Sequence, residues 1–349
     1  MRKLAKAAAA ALPLLCASLA AGHALAEETV NVASYGGAYQ DALRKAFYDP
    51  TAKALGITIK DYTLSSIADI RTQVKAGNIE WDVVELYSGQ CQQAANEGLL
   101  EPLDYKVINA DGIPKDVVQP YWVGFTAYSS VLAYNTEVYK DNPPKNWKDF
   151  WDTEKFPGTR ALGGYGLSTT AEMALMADGV AKDQLYPIDQ ERAIKKLEEI
   201  KPHIVAWWSS GAQSAQLATS GEADMLSIWV ARIEAAIKDG APYAFTYDQA
   251  IMDVECLVVP KGAKNKELAM KVINSFISPE LQAELPKYVS YGPMNQKAYD
   301  TGKISPETAA KANTSPENLS KQVVQNKAYW AENGQKSQEK WDAFLQKGN

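Results

Sequence analysis

Histidine is almost missing from this sequence: two occur in 349 residues, His23 and His203. That excludes an HExxH zinc helix and a Cys/His metal cluster, and leaves little material for a Ser-His-Asp relay. Positive charge is also short, with 36 Lys and Arg against 42 Asp and Glu, a net charge of −6. Sequence-independent nucleic-acid binding needs basic side chains to displace counterions, so nucleic acid is not an expected partner. Beyond the first 26 residues no hydrophobic run is long enough for a membrane helix. Neither the spaced glycines of a dinucleotide turn nor the lysine of a phosphate loop is present at Tyr35-Gly36-Gly37. No metal, no cofactor and no catalytic residue is expected.

What the chain does have begins at its N-terminus. Arg2, Lys3 and Lys6 precede an Ala/Leu-rich run, followed by Ala24-Leu25-Ala26 and then Glu27. A basic head, a short apolar stretch and small residues before the break describe a cleaved secretory signal over 1–26. A lipoprotein signal at Leu14-Leu15-Cys16 is disfavoured, because leucine rather than a small residue precedes the cysteine. Cleavage removes three basic side chains, taking 349 residues to 323 and the net charge from −6 to −9. A periplasmic location is expected. Net acidity mildly favours cationic ligands.

Export leaves Cys91 and Cys256 as the mature cysteines and His203 as the mature histidine. Cys256 lies in an apolar strand-like run, so a buried free thiol is the expected state. Pairing with Cys91 in an oxidising compartment is the alternative. His203, beside Lys201-Pro202 at a helix-to-strand junction, reads as structural or solvent-facing.

Short β-like runs alternate with amphipathic helical ones, the pattern of an α/β protein. Strands are expected at 30–33, 57–59, 81–86, 123–135, 204–207, 224–229 and 253–259. Helices are expected at 39–48, 67–76, 88–97, 169–177, 189–200, 212–220 and 268–277. A chain this long suits two doubly wound lobes joined by a hinge over a cleft. Lobe 1 is expected to hold 27–133 and 252–300, and lobe 2 to hold 134–251 and 301–349.

Ligands of open α/β sheets bind outside the carboxyl ends of strands, which selects the candidate residues. Tyr35 ends the first strand, with a plain tight turn as the alternative. Glu85 interrupts the apolar run 81–86, with Ser88 just beyond it; an internal salt bridge is the alternative for Glu85. Trp208 lies in the loop Trp207 to Gln213, and Trp229 ends a strand whose following helix carries Arg232. Asp253 and Glu255 alternate along one strand and so share a face. Nine tryptophans exceed what packing usually needs. Aromatic walls with a carboxylate at one end suit an amine, through cation–π attraction and a charge-assisted hydrogen bond. A core position is the alternative for each tryptophan.

Several segments in order, Tyr35-Gly36-Gly37, Asp82-Val83-Val84, Asn96 to Leu100 with Leu103-Asp104, Trp207 to Gln216, Gly221 to Asp224 leading to Trp229, Val258 to Lys266 and Tyr291 to Asn295, resemble the periplasmic substrate-binding proteins of polyamine-type ABC transporters. The resemblance implies a two-lobed type II periplasmic binding fold that closes on a small amine-bearing solute and delivers it to an inner-membrane permease. It implies Tyr35 as the first-lobe aromatic, Trp229 as the second-lobe tryptophan stacking on the ligand chain, and Glu255 as the acid gripping an amine. Ser88 and Tyr291 lie on segments bordering the cleft.

One departure bears on the ligand. Spermidine- and putrescine-binding members carry further acids in the segment resembling Gly164 to Glu172, whereas here none occurs before Glu172, and Arg232 adds a positive charge. The resemblance implies a polyamine such as putrescine or spermidine, and the missing acids and the added arginine count against a ligand with two cationic ends. The alternative is a zwitterion, a 4-aminobutyrate-like ω-amino acid or a betaine, with its carboxylate on Arg232 and the Ser168/Thr169 helix start. A secreted hydrolase using Asp253 and Glu255 as a carboxylate pair is the remote alternative. A monomer that is not an enzyme is expected.

Overall fold

The computed structural model describes residues 28–64 and 66–347. The expected signal segment 1–26, with Cys16, lies outside the described residues. Ten strands run in chain order as β1 (Thr29–Ser34), β2 (Thr58–Thr63), β3 (Val83–Tyr87), β4 (Val118–Gln119), β5 (Trp122–Asn135), β6 (Arg160–Gly163), β7 (Ile204–Trp208), β8 (Met225–Trp229), β9 (Tyr243–Val258) and β10 (Val323–Val324). They hydrogen-bond in the order β2-β1-β3-β9-β5-β8-β6-β7, with β10 on β9 and β4 on β5. Each flank is parallel, β2-β1-β3 on one side and β8-β6-β7 on the other. The centre is antiparallel. This is the mixed α/β architecture that alternating strands and helices predict.

Parallel strands must be covered on both faces, and their sequences show it. Val30, Val32, Val83, Val84 and Leu86 are at most 1% exposed. Ile67–Ala76 is a helix with the bounds its periodicity predicts: Ser66 and Asp69 form a reciprocal capping box, Ile67 and Ile70 are buried, and Gly77 ends it at φ 64. The first helix departs from expectation. It starts at Gly37, winds as a π-turn over Arg44–Tyr48 and continues to Leu55. Pro50 has no N–H for the helical ladder, and a widened turn just before it accommodates the loss.

The strands β5 and β9 are the long members, 14 and 16 residues. Strand β9 begins ten residues before the expected Asp253, because Tyr243 to Thr246 pair with Leu132 to Asn135. Register shifts at Gly124/Thr126 and Ser130/Leu132 bend the pair, and Gln249 takes up the second at φ 59. The expected lobe divisions after residues 133 and 251 fall inside these two strands. The long helix Lys327–Gln346 packs on β7 through Trp341 and Phe344, whose rings meet Trp207 at 5.3 and 5.5 Å. His203 is exposed on the turn before β7.

Cys91 and Cys256 are joined in a disulfide, Cα atoms 6.6 Å apart, which corrects the expectation of a free buried thiol. Both are buried, so burial alone could not tell a thiol from half of a bridge. The bond ties the helix Ser88–Asn96 to β9 across 165 residues of chain. Closing so long a loop restricts the unfolded chain, and reduction should lower stability by about 2–4 kcal/mol. Urea melts with and without reductant check this. Coincident melts, together with two titratable thiols in the non-reduced native protein, would show that no bridge forms.

Candidate functional site

The register of three strands builds the floor of a cleft. Tyr87 pairs with Glu255, Glu255 with Thr126, and Asp253 with Tyr128. Directly opposed residues project on the same face, about 5 Å apart. Trp229 ends β8 opposite Ser130, extending the row. Above the floor, the turn after β1 presents Tyr35. Its Gly36 adopts φ 70, and a Cβ there would press on the Thr63 side chain at 3.0 Å.

The rings form a wall. Tyr35 stacks on Tyr87 at 4.8 Å, Tyr87 meets Tyr128 at 5.8 Å, and Tyr128 meets Trp229 edge-on at 6.2 Å. Two cavities meet at Tyr87, Tyr128 and Trp229. The first, about 550 Å³, is bordered by Tyr35, Tyr39, Glu255, Tyr291 and Arg232. The second, about 710 Å³, is bordered by Asp253, Gln90, Ser168, Thr169, Gln325 and Gln338. The Tyr35 hydroxyl and the Trp229 indole N–H are buried without a hydrogen-bond partner. The Tyr165 hydroxyl comes near that indole without reaching hydrogen-bond geometry.

Charge is distributed unevenly. Glu255 accepts from Tyr39 at 2.6 Å and from Thr126 at 2.8 Å. Among the described residues Arg232 has no ion-pair or hydrogen-bond partner, and its guanidinium lies near Gly37 and Gly211. The Tyr291 hydroxyl is pushed far above its ordinary pKa by burial and then by Glu255, while Arg232 pulls the other way. Both charges therefore act on one ring. Asp253 accepts from Ser88 at 2.7 Å, from the Val254 amide at 2.7 Å and from Tyr128 at 3.2 Å. Burial raises its pKa, against the pull of those donors.

The nine candidate residues fall into three groups. Tyr35, Trp229, Arg232, Glu255 and Tyr291 border the first cavity, and Asp253 borders the second. Ser88, Glu85 and Trp208 border neither. Ser88 is spent on Asp253. Glu85 lies behind Tyr39, bonded to it and to Ser34 rather than in the internal salt bridge that was its alternative. Trp208 is fully buried, donates to the Ser227 carbonyl at 2.8 Å and props Trp229 edge-on at 5.4 Å. Arg232 borders the first cavity and Ser168/Thr169 the second, on the two sides of the meeting point at Tyr87, Tyr128 and Trp229. Thr169 holds φ 69 and accepts from Gln325. Tyr39, Tyr87, Tyr128 and Thr126 were missed. Their strand or helix positions were legible, but not the partners opposite them. No cluster of metal-ligating side chains occurs among the described residues.

A continuous sheet carrying two parallel flanks, with an aromatic and charged cleft between them, defines a two-lobed periplasmic binding protein. The chain belongs to the bacterial extracellular solute-binding protein family, whose pattern matches residues 44–314. It is 45% identical to an ABC transporter substrate-binding protein from Bradyrhizobium japonicum USDA 110, with TM-score 0.89 over 92% of this chain and 100% of that one. A solved GABA receptor is 35% identical, TM-score 0.84, covering 92% and 99% of the two chains. The gamma-aminobutyric acid-binding protein of Pseudomonas aeruginosa is 31% identical over 95% of each chain. A spermidine/putrescine-binding periplasmic protein of Haemophilus influenzae is 24% identical over 79% of this chain and 78% of that one. Proteins of this kind bind small solutes and work with a membrane permease.

Trp208→Phe tests the supporting role of the buried indole. It leaves the Ser227 carbonyl without that donor and should destabilise the fold by about 1–3 kcal/mol, read by urea unfolding. An unaltered midpoint would show that the indole hydrogen bond is not made.

Proposed function

We propose that this chain is the periplasmic receptor of an ABC importer for a short zwitterionic ω-amino acid of the 4-aminobutyrate type. The observation that carries this reading is the placement of Glu255 and an unpaired Arg232 on one aromatic-walled cavity, acting on the same Tyr291 without pairing with each other. The ligand ammonium sits on Glu255 and its carboxylate on Arg232, each charge meeting its opposite. Tyr35 and Trp229 offer spare donors and flat apolar faces to the short chain between. Two relatives described by their GABA binding support the same reading.

The polyamine reading fares worse on the same geometry. A second ammonium in this cavity would lie beside Arg232. The remaining floor acid, Asp253, is already engaged by three donors and pushed toward its neutral form by burial. In this proposal the protein is a binding module: the ligand is recovered chemically unchanged, and Asp253 and Glu255 do not act as a hydrolytic pair.

Calorimetry on the wild type, Arg232→Ala and Glu255→Gln, each with 4-aminobutyrate and putrescine, decides between the two. Arg232→Ala should weaken 4-aminobutyrate at least tenfold, about 1.4 kcal/mol, and leave putrescine equal or tighter. Glu255→Gln should weaken both by several kcal/mol, because it strands a cation in a desolvated cleft. Tighter 4-aminobutyrate binding by Arg232→Ala would sink the zwitterion reading.

A further inference from the structure

Four short oxygen–oxygen contacts lie beneath the first cavity. Ser34 meets Glu85 Oε2 at 2.5 Å, and Thr126 meets Glu255 Oε2 at 2.8 Å. The Tyr39 hydroxyl meets Glu85 Oε1 at 2.6 Å and Glu255 Oε2 at 2.6 Å. Each hydroxyl owns one proton and an ionised carboxylate owns none. Ser34 spends its proton on Glu85, Thr126 spends its own on Glu255, and Tyr39 can serve one carboxyl only. The Tyr39–Thr126 contact at 3.0 Å brings no further proton. Three protons thus cover three contacts. If both glutamates were ionised, the fourth would set two lone pairs against each other at 2.6 Å, between two buried like charges.

We infer that Glu85 and Glu255 share one proton through Tyr39, with Glu85 the neutral acid donating to the tyrosine oxygen and Glu255 the single anion facing the cavity. The placement sets the direction. Glu85 is 1% exposed and borders no cavity, whereas Glu255 borders the ligand space. Burial, then the charge of Glu255, pushes the Glu85 carboxyl well above its ordinary range. The titratable groups facing Glu85 are Tyr35 and Tyr39 from the turn and first helix, Tyr48 from the π-turn, Tyr87 from β3, Glu255 from β9, and Tyr291. Glu85 is a positioning residue: it orients Tyr39, which holds Glu255. Building on the proposed zwitterion site, it keeps the floor at one negative charge, matched to one ammonium. With Arg232 and the ligand carboxylate the site is then neutral. A second ionised acid would invite a second cation.

The test is run without ligand, so it stands or falls separately from the ligand's identity. Wild type and Glu85→Gln are unfolded in urea from pH 5 to 9, since glutamine can give Tyr39 an N–H and accept from Ser34 but cannot ionise. A carboxyl with a raised folded pKa stabilises fully below its unfolded value, near 4.3, and loses that stabilisation as pH rises toward the folded one. The wild-type unfolding constant should therefore rise, relative to Glu85→Gln, by up to tenfold per pH unit above the ordinary carboxylate range. Parallel profiles would overturn the shared proton. Infrared spectra at pH 7 locate it. A protonated carboxyl band lost in Glu85→Gln and kept in Glu255→Gln places the proton on Glu85, and the reverse pattern overturns that assignment. If Glu85→Gln does not fold, the wild-type minus Glu255→Gln spectrum makes the same decision.

Discussion

The antiparallel pairing of β5 with β9 is the constraint on which the rest of the molecule depends. Each strand crosses from one parallel flank to the other, so the two halves of the chain share one hydrogen-bonded sheet. A slip of one residue in that pairing would move every side chain to the opposite face. If β5 slipped, Thr126 and Tyr128 would leave the cleft floor, and Glu255 would lose Thr126. The Cys91–Cys256 bridge locks the helix after β3 to the residue next to Glu255. The acid at the centre of the site is thus fixed from the strand on either side and by a covalent tie behind it.

That rigidity has an electrostatic purpose. A carboxylate under a roof of tyrosines is poorly solvated, and its interaction with a cation is correspondingly stronger than in water. Glu255 accepts from two hydroxyls, while burial drives Glu85 and Asp253 toward the protonated form. Three acids on one floor therefore need not carry three charges. Counting acids from a sequence overstates how many cations such a floor can hold.

What could be read from the residues follows physical range. The helix at 67–76 was legible because its cap, its apolar face and its terminating glycine are all local. Strand ends were legible for the same reason, which placed Tyr35 and Trp229 at the mouth of the sheet, while alternation along one strand put Glu255 on the same face as Asp253. The partners of those residues were not legible. Tyr39 reaches Glu255 across 216 positions, and nothing near either residue announces the other. Trp208 and Trp229 both end strands, yet one faces inward and the other lines the cleft, because the pleat at each depends on the neighbouring strand. The cysteine pair failed likewise. Two apolar, buried positions look alike alone, and only the fold brings them together.

In the proposed reading, closure depends on where the charges sit. Glu255 belongs to β9 and Arg232 to the helix after β8, on opposite sides of the register breaks that bend the central pair. Without ligand, drawing those two elements together would desolvate an arginine that has no counter-ion, which costs free energy. A zwitterion removes that cost at both ends at once, whereas a single cation or anion removes it at one. A ligand shifts a conformational equilibrium only by its differential affinity for the two states. In the proposed reading, the opposed charges would favour a closed form around molecules carrying both signs at the right spacing. Selectivity and closure, in that reading, rest on the same pair of side chains.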